Sequence, residues 1–336
     1  MGVTIKDIAK ECNCSITSVS FVLNDKSDLV GKETAERILA TCKKYNYKPN
    51  YIAAALKNKT TKTVGILIPD IENSYYARII KCLENLLKEK GYSLIFADSG
   101  YNFDQFEKNV IDITNRSIDY LIIVPPSLFQ EVDEEKINSV AKMITVPYVI
   151  LDRKISFGDC PIIINDDIKG GYLATKYLID LGHKKIACIT GPKNISSSLE
   201  RLKGYKKALK EAHIPFDNSL LVEGNYRFEG SINVAKDIIL NKKADAIFAF
   251  NDLSAYAVYK IANDNDIKIG EDLSLVGFDD NQFSGLISPG LTSVKQNIEG
   301  LCKTVIKKLM SGNQTNNTTK IEPTLTIRGS VKNVKS

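Results

Sequence analysis

Apolar residues near the start of the chain recur three and four positions apart, which is the period of an amphipathic helix. Val19, Val22 and Leu23 form one such stripe. A first helix is predicted before this stripe. Thr4 is a suitable N-cap for it, with Asp7 at the third helical position as a capping-box variant. The pattern therefore predicts short helices separated by turns in this part of the chain.

The first two helices are separated by the tight turn Cys12-Asn13-Cys14, where asparagine tolerates a left-handed backbone. The second helix is predicted over 15–24, with Ser15 as its N-cap, and the third over roughly 32–46. Pro49 ends the third helix, and a short segment, "YIAAALKNK", follows before the linker "TTKT". The residues predicted to face inward from the third helix are Ala35, Ile38, Leu39 and Cys42.

After residue 62 the pattern changes to short, continuous apolar runs that alternate with helical segments. Runs such as "VGILI", "SLIFA", "YLIIVPP", "VPYVILD", "KIACITG", "DAIFAF" and "LSLVGF" are typical of strands buried on both faces of a parallel sheet. There are more of them than one such sheet usually holds, so we expect two α/β lobes with a ligand between them. The helices predicted between the runs include 74–90, 167–181, 199–213, 228–241 and 252–264.

The outward face of the second predicted helix carries Ile16, Thr17, Ser20, Phe21 and Asn24. Short polar side chains and a bare aromatic ring are unusual on a face that only meets water. They suit a recognition helix, in which hydroxyl and amide groups reach phosphates and base edges while an apolar group contacts a thymine methyl. Helix, short turn and second helix are the spacing of a helix-turn-helix motif. A three-helix bundle that contacts other proteins is the alternative.

Charge favours the DNA interpretation. Residues 1–62 contain 11 lysines and arginines against 6 aspartates and glutamates, so the whole formal charge of +5 falls in the first fifth of the chain. The remaining residues are balanced. A basic module attached to a neutral body indicates a polyanionic partner for the module alone.

Other features of the sequence exclude several classes. The chain of 336 residues has no apolar run of 18 residues and no secretory signal, so we expect a cytoplasmic protein with no membrane partner. Its seven cysteines are scattered and it has only two histidines, which argues for reduced thiols and against a metal site. No glycine-rich nucleotide-binding motif is present, so we expect no cofactor.

Longer motifs then point to a family. The opening "VTIKDIAKECNCSITSVSFVLN" and the following "YNYKPNYIAAALKNK" are specific, and the body carries "GILIPDIENSYYA", "LIDLGHKKIACITGP", "AIFAFNDLSAYAV" and "LSLVGFDD". Over nearly its whole length the chain resembles LacI/GalR-family transcriptional regulators. The resemblance implies an N-terminal all-α helix-turn-helix domain and an α/β two-lobed body like a periplasmic binding protein, with three crossovers between doubly wound parallel sheets.

For DNA, the resemblance implies that Ile16, Thr17 and Phe21 occupy the main base-reading positions. It also implies that residues 50–58 form a hinge helix that folds on DNA, from which Leu56 wedges into the minor groove. Packing of Leu56 against the body is the alternative. The expected DNA-contacting residues are Thr4, Ser15, Ile16, Thr17, Ser20, Phe21, Asn24, Asn50, Ala53, Leu56 and Lys57.

Three positions depart from the family pattern. Asn13 replaces the usual glycine of the turn, Phe21 stands where Arg or His is common, and Ser74 replaces a proline. The operator preference of relatives therefore does not carry over at the base pair that faces Phe21.

For the body, the resemblance implies an effector cleft lined by aromatic rings and by polar groups that bind hydroxyls. Tyr76 could instead be a core residue, and Asp152 and Arg153 could form a structural ion pair. The expected effector-binding residues are Tyr75, Tyr76, Asp152, Arg153, Arg201, Tyr226, Asn251, Asp279 and Gln296.

The sequence thus predicts a DNA-binding repressor controlled by a small molecule, with a sugar or sugar derivative favoured. The resemblance leaves a purine, a nucleoside or a phosphorylated partner protein open as the effector. The absence of a leucine heptad tail predicts a homodimer, and a two-fold protein predicts a pseudo-palindromic double-stranded DNA operator. An exported sugar-binding protein, an enzyme and an oligomeric scaffold are the rivals. The predicted domains are a headpiece over 1–48, a hinge and linker over 49–62, and an effector domain over 63–336, whose N-lobe spans about 63–160 and 292–322 and whose C-lobe spans about 161–291 and 323–330.

Overall fold

The computed structural model divides the chain into two compact units, Met1–Thr61 and Lys62–Ser336. Within them the structure describes residues 3–24, 26–47, 60–100, 102–126, 132–155, 157–241, 244–312 and 315–335.

The first unit contains the three predicted helices. The Thr4 side chain accepts a hydrogen bond from the Asp7 amide, and the Asp7 carboxylate accepts one from the Thr4 amide at 2.9 Å, which completes the predicted capping box. The Ser15 hydroxyl caps the second helix by accepting from the Ser18 amide at 3.0 Å. The helices are α1 (Ile5–Glu11), α2 (Ile16–Leu23) and α3 (Lys32–Lys44), with a 3-10 turn at Ser27–Leu29.

The core of this unit is small and is made by one stripe from each helix. Ile8, Val19 and Ile38 have no solvent exposure. The prediction that Leu39 faces inward is wrong, since its side chain is 52% exposed. One position along a helix rotates a side chain by about 100°, so Leu39 points away from the stripe that Ile38 completes.

The turn between α1 and α2 has the left-handed residue that the sequence predicts. Asn13 has φ of 47° and follows the C-cap of α1. Replacing Asn13 with alanine should lower the free energy of unfolding of this unit by about 1 kcal/mol, because a Cβ without a local hydrogen-bonding group disfavours this conformation. Asn13→Gly is the matched control and should be neutral or slightly stabilising. Thermal unfolding followed by circular dichroism measures both, and equal effects would contradict the explanation.

The second unit is built on two six-stranded sheets, each mostly parallel. In the first sheet the strand order is β11-β5-β4-β3-β1-β2. Two hydrophobic cores cover its faces, one of them between the sheet and two helices that include residues 79–87 and 301–309. The strands of this sheet are β1 (Thr63–Ile68), β2 (Ser93–Asp98), β3 (Tyr120–Ile123), β4 (Tyr148–Leu151), β5 (Ile162–Asn165) and β11 (Thr318–Ile321).

The second sheet has the order β12-β10-β9-β8-β6-β7, and only its edge strand β12 runs antiparallel. Both of its faces are likewise covered by helices. Parallel strands need crossover helices, which cover both faces of the sheet, so the central strands β6, β8 and β9 are buried along their whole length. The strands are β6 (Ile186–Thr190), β7 (Leu221–Glu223), β8 (Ala246–Ala249), β9 (Ser274–Phe278), β10 (Thr292–Lys295) and β12 (Thr324–Thr326).

Helices pack on each sheet and complete two lobes. The chain crosses from one lobe to the other three times: after β5, after β10 and between β11 and β12. None of the helices in the described segments is long and apolar enough to cross a membrane. The helices of this unit are α4 (Ser74–Lys88), α5 (Phe103–Thr114), α6 (Glu134–Met143), α7 (Asp167–Asp180), α8 (Ser196–Glu211), α9 (Phe228–Leu240), α10 (Asp252–Asn263) and α11 (Ile298–Met310).

Sheet membership corrects two of the predicted lobe boundaries. Strand β5 belongs to the first sheet, so the N-lobe extends to about 165, whereas the prediction ended it at 160. Strand β10 belongs to the second sheet, so the C-lobe extends to about 295, whereas the prediction ended it at 291. A short apolar run predicts a strand but carries no information on which sheet accepts it.

Several short elements escaped the sequence analysis. These are β5, β7, β10, β11 and β12, each of three or four residues, and the helices α6 and α11. Strands β10 and β11 mix polar and apolar residues, so neither forms the apolar run that identified the longer strands.

Candidate functional site

The outward face of α2 is the first candidate site. Ser15, Ile16 and Thr17 are exposed at its N-terminal end, and Ile16 keeps 45% of its surface accessible. Ser20 and Phe21, one turn further along, are partly exposed. Val19 and Val22 are buried on the opposite side. The helix therefore displays small hydroxyl groups and two apolar side chains on one accessible surface.

Some of the polar groups in this region are already used within the protein. The Thr4 hydroxyl donates to Asp7 at 2.7 Å, and the Asn24 amide donates to the Ser20 carbonyl at 2.7 Å. Ser15 caps its own helix. The exposed residues Ile16 and Thr17 are therefore the more available members of the predicted set. The predicted hinge residues Asn50, Ala53, Leu56 and Lys57 lie outside the described residues.

The second candidate site lies at the carboxyl ends of the strands of the second unit. Asp152 directly follows β4, and its carboxylate accepts hydrogen bonds from the hydroxyls of Tyr75 at 2.9 Å and Tyr76 at 3.0 Å. Asn165, the last residue of β5, donates to the Tyr75 hydroxyl at 2.7 Å. All four side chains are buried. The aromatic pair and the aspartate that the sequence predicted therefore form one hydrogen-bonded cluster.

Arg153 belongs to the same cluster. Its guanidinium donates to the Pro125 carbonyl at 2.6 Å and to the Tyr76 hydroxyl at 3.2 Å. The distance from Arg153 Nε to the nearer Asp152 oxygen is 4.0 Å. The stronger contacts of Arg153 therefore run to the backbone and to Tyr76, and the ion pair with its neighbour is the weaker contact.

Arg201, on α8, is the centre of the C-lobe side. Its Nε donates to Asp167 at 2.8 Å, its Nη1 donates to the Phe250 carbonyl, and its guanidinium carbon lies 3.6 Å from the centre of the Phe278 ring. Arg201 and Asp167 are each at most 5% exposed. Burial raises the pKa of the Asp167 carboxyl to about 7, although the nearby Arg201 charge opposes this shift. Asp167 was not predicted from the sequence.

Asp279 and Gln296 meet where the next strands end. Asp279 follows β9 and accepts a hydrogen bond from the Gln296 side chain at 2.5 Å. Burial raises the pKa of Asp279 to about 7, while the Arg201 charge acts in the opposite direction. Asp279 is therefore close enough to interact electrostatically with Arg201. This interaction links the Asp279–Gln296 pair to the contacts around Arg201.

Tyr226 and Asn251 are coupled to each other. The Asn251 amide donates to the Tyr226 carbonyl at 2.8 Å, and its oxygen caps α10 by accepting from the Ser254 amide. The Arg201 guanidinium carbon lies 5.6 Å from the centre of the Tyr226 ring. Asn251 therefore orients Tyr226 and begins a helix, in addition to its place beside the cleft.

Three of the predicted effector residues have a left-handed backbone. The φ angles are 73° at Asp152, 64° at Tyr226 and 108° at Asp279. Residues with a Cβ rarely adopt such angles, and each instance costs on the order of 1–3 kcal/mol. Unfavourable backbone conformations concentrate at functional sites because they aim side chains that regular structure cannot aim.

Contacts between the lobes close over these clusters. Arg78 on α4 donates to the carbonyls of Asp279 at 3.1 Å and Asp280 at 3.0 Å. Arg227 pairs with Asp70 at 2.8 Å. The Ser74 hydroxyl accepts a hydrogen bond from Asn281, a contact that a proline at this position could not make. The residue that departs from the family pattern therefore contributes a bond between the lobes.

Sequence reasoning missed Ser74, Arg78, Asn165 and Asp167 as parts of the cleft. One signal was available, since the run "PIIINDD" ends in three polar residues as a strand at a ligand-binding edge does. Among the described residues, no group of three or more histidine, cysteine, aspartate or glutamate side chains is arranged to hold a metal ion. The side chains gathered at these strand ends instead combine hydrogen-bonding groups with aromatic surfaces, as the sites of small organic ligands do.

A helix-turn-helix unit joined in one chain to a two-lobed periplasmic-binding-protein-like unit defines a class of ligand-controlled DNA-binding proteins. Residues 4–50 match the family model for bacterial regulatory proteins of the lacI family, and residues 175–331 match the periplasmic binding protein-like domain. The chain is 32% identical to the HTH-type transcriptional repressor PurR of Photobacterium profundum, over 98% of this chain and 99% of that protein. The chain belongs to the LacI family.

Solved structures agree on the fold. The crystal structure of the lac repressor dimer bound to operator and the anti-inducer ONPF is similar to this protein with a TM-score of 0.84, at 24% identity, covering 99% of this chain and all of that chain. A LacI-family regulator from Enterococcus faecium with bound ribose gives a TM-score of 0.71 at 26% identity, covering 81% of this chain and 99% of that chain.

Proposed function

We propose that this protein is a transcriptional repressor that binds a pseudo-palindromic operator as a homodimer and is controlled by a small molecule bound between its two lobes. The observation that carries the proposal is the accessible face of α2, where Ile16, Thr17 and Phe21 stand together in a basic module. Such a face reads base edges in the major groove, while the surrounding positive charge supplies affinity for phosphates.

The roles on DNA differ among these side chains. Thr17 and Ser20 can exchange hydrogen bonds with base edges or phosphates, whereas Ile16 and Phe21 offer apolar contact to thymine methyl groups. We further propose that Leu56 from each subunit enters the minor groove at the centre of the site. A pyrimidine–purine step is the easiest to open there, so we expect one at the operator centre.

The effector is proposed to bind among the buried polar clusters, in contact with both lobes. A ligand that binds one arrangement of the lobes better than another shifts the population that is competent to bind DNA. The carbohydrate class is supported by the acceptor-rich lining and by the bound ribose in the similar Enterococcus faecium regulator.

A second copy of the chain is the proposed partner. The C-lobe exposes three large apolar side chains, with 49% of Phe283, 78% of Leu286 and 61% of Ile327 accessible to solvent. The segments that carry them are neighbours, because the Arg328 side chain would lie 3.6 Å from a Cβ built at Gly285. Apolar side chains grouped on a surface mark association sites more often than isolated ones do. The similar lac repressor structure is a dimer, which supports a homodimer here.

Other functions have less support. Catalysis would need a nucleophile or an acid–base pair in the cleft, but its carboxylates are hydrogen-bonded to tyrosines, to glutamine and to arginine. An exported sugar-binding protein would have no use for the basic helix-turn-helix unit. We place the protein in the cytoplasm, where chromosomal DNA is its partner.

Selection from a random pool of DNA duplexes tests the DNA-binding function without knowledge of the effector. We expect a pseudo-palindrome to be enriched. Replacing Phe21 with alanine should weaken binding to that sequence by about tenfold or more, because one apolar contact to a base pair is worth on the order of 1–3 kcal/mol. Preference at the base pair that faces residue 21 should relax at the same time.

Leu39→Ala is the control, since Leu39 is an exposed apolar residue on another helix of the same unit and is not among the predicted DNA contacts. It should bind the selected operator like the wild type. If no sequence is enriched at low salt, either alone or with added sugars or purines, the repressor function is wrong.

A further inference from the structure

The guanidinium groups of the cleft are already occupied by acceptors of the protein itself. Arg78 is bound to two backbone carbonyls, and Arg153 is bound to the Pro125 carbonyl and the Tyr76 hydroxyl. Arg201 is bound to the Phe250 carbonyl and to the Asp167 carboxylate. An arginine binds an anionic ligand most strongly through two parallel N–H groups that point at it. In Arg201, the Nε that would form one of these bonds is directed at Asp167.

The unused hydrogen-bonding groups of the cleft include two acceptors. Within the described part of the chain, Asn165 Oδ1 and Gln296 Oε1 are buried side-chain oxygens with no hydrogen-bond partner. Both residues are 2% exposed, and their amide nitrogens donate to Tyr75 and Asp279, so the unpartnered atoms are acceptors. A buried acceptor without a donor costs on the order of 1–3 kcal/mol. A ligand that brings hydroxyl or amino donors would recover that cost.

We propose, on the basis of the effector cleft assigned above, that the ligand is an uncharged or positively charged molecule rich in hydrogen-bond donors, and that Asp167 excludes phosphorylated and carboxylate-bearing molecules by neutralising the charge of Arg201. Asp167 is then a specificity-determining residue of the cleft. Unphosphorylated sugars, amino sugars and uncharged nucleosides satisfy this chemistry. Sugar phosphates, sugar acids and nucleotides do not.

The electrostatics of the cleft support this assignment. Asp152, Asp167 and Asp279 are all at most 7% exposed and close enough to Arg201 or to one another to interact. Burial raises the pKa of Asp167 and of Asp279 to about 7, and in Asp167 the neighbouring Asp152 charge acts in the same direction. A further negative charge from a ligand would face these carboxylates at short range, whereas donor groups or a positive charge would stabilise them.

Asp167→Asn in the full-length protein tests the proposal. Asparagine can still accept the Arg201 Nε hydrogen bond through its side-chain oxygen, but it no longer neutralises the guanidinium. The probe is inorganic phosphate at about pH 7.5, and binding is followed by broadening of its ³¹P resonance as protein is added. We expect the variant to bind phosphate at least ten times more tightly than the wild type does.

The double variant Asp167→Asn with Arg201→Gln is the control for phosphate held by surface lysines, and it should return to the wild-type level. Circular dichroism and urea unfolding verify that each variant is folded, and Asp167→Ala replaces Asp167→Asn if the latter is not. The proposal is overturned if the wild type binds phosphate as tightly as the variant does in an Arg201-dependent way. It is equally overturned if removing the Asp167 charge produces no gain.

Operator selection on the same proteins separates this result from the proposed function. Loss of sequence selection in the wild type would refute the repressor function, while the phosphate comparison would still report on the cleft. Conversely, normal selection together with an unchanged phosphate affinity in Asp167→Asn would refute only the inference about the ligand.

Discussion

Replacing Arg201 with alanine should abolish the response to the effector and lower the free energy of unfolding of the two-lobed unit by about 3–5 kcal/mol, the range for removing one partner of a buried ion pair. Arg201 is 5% exposed and Asp167 is 2% exposed, so the remaining carboxylate could not recover its hydration. The variant also loses the hydrogen bond to the Phe250 carbonyl and the contact with the Phe278 ring.

The loss of stability should depend on pH. The pKa of Asp167 in the folded protein, about 7, lies above the value near 3.9 that is usual for an unfolded chain. The folded state therefore binds more protons between these values, and the contribution of Asp167 to stability falls as pH rises through them. Without Arg201 the folded pKa rises further, so the destabilisation should be larger at about pH 8 than at about pH 5.

Urea unfolding of the full-length protein at the two pH values measures this effect. The double variant Arg201→Met with Asp167→Asn removes both charges and should recover most of the stability, yet it should remain unresponsive to the effector. If the double variant unfolds as readily as Arg201→Ala does, the buried charge is not the cause. Full effector response in a folded Arg201 variant would remove Arg201 from the cleft's binding role.

Gly204→Ala should destabilise the same unit by about 3 kcal/mol, at the upper end of the usual cost of overpacking. Helices α7 and α8 cross so closely that a Cβ at Gly204 would lie 2.2 Å from the Ile168 carbonyl oxygen and 2.6 Å from the Tyr172 amide nitrogen. Both are backbone atoms, so no change of side-chain rotamer can relieve the clash and the helices must separate.

The sign of this prediction is informative, because helix propensity alone favours alanine over glycine by about 1 kcal/mol. A Cβ at Gly171, on the facing helix, would lie 2.2 Å from the carbonyl oxygen of Arg201. Separating the helices therefore also displaces Arg201.

Gly285→Ala is the matched control, because a Cβ at Gly285 would lie 3.6 Å from its nearest neighbouring atom and the Gly285 backbone is not left-handed. Thermal unfolding should show a clear loss for Gly204→Ala and little change for the control. A stabilised Gly204→Ala protein would contradict the close crossing.

Features that depend on neighbours within a few residues were predictable from the sequence. The Thr4–Asp7 capping box, the Ser15 cap and the left-handed Asn13 each follow from local hydrogen bonds or local backbone preference. The wrong prediction that Leu39 faces inward also came from a local pattern, the helical spacing of apolar residues. Helical spacing defines a stripe, but it does not say how wide a stripe the neighbouring helices will cover.

The candidate effector residues were obtained in a different way. Motif resemblance placed Asp152, Arg201, Asn251 and Asp279 at the cleft, and the structure brings them to the carboxyl ends of the strands, together with the tyrosines. Their binding role stays a prediction until a ligand is measured. Residues without such motifs, Asp167 above all, were not recognisable as part of this group.

The sequence by itself determined the helix-turn-helix unit, the alternating α/β body and the family, because caps, turns and apolar periods are encoded by residues close together in the chain. Only the tertiary structure decided which side chains contact one another at the strand ends. Arg201 meets Asp167 from 34 positions away, and Arg78 meets the Asp279 carbonyl from 201 positions away. Two sheets, three crossings and a close helix contact bring these groups together, and such distant pairings depend on the packing of the whole unit, which no local pattern records.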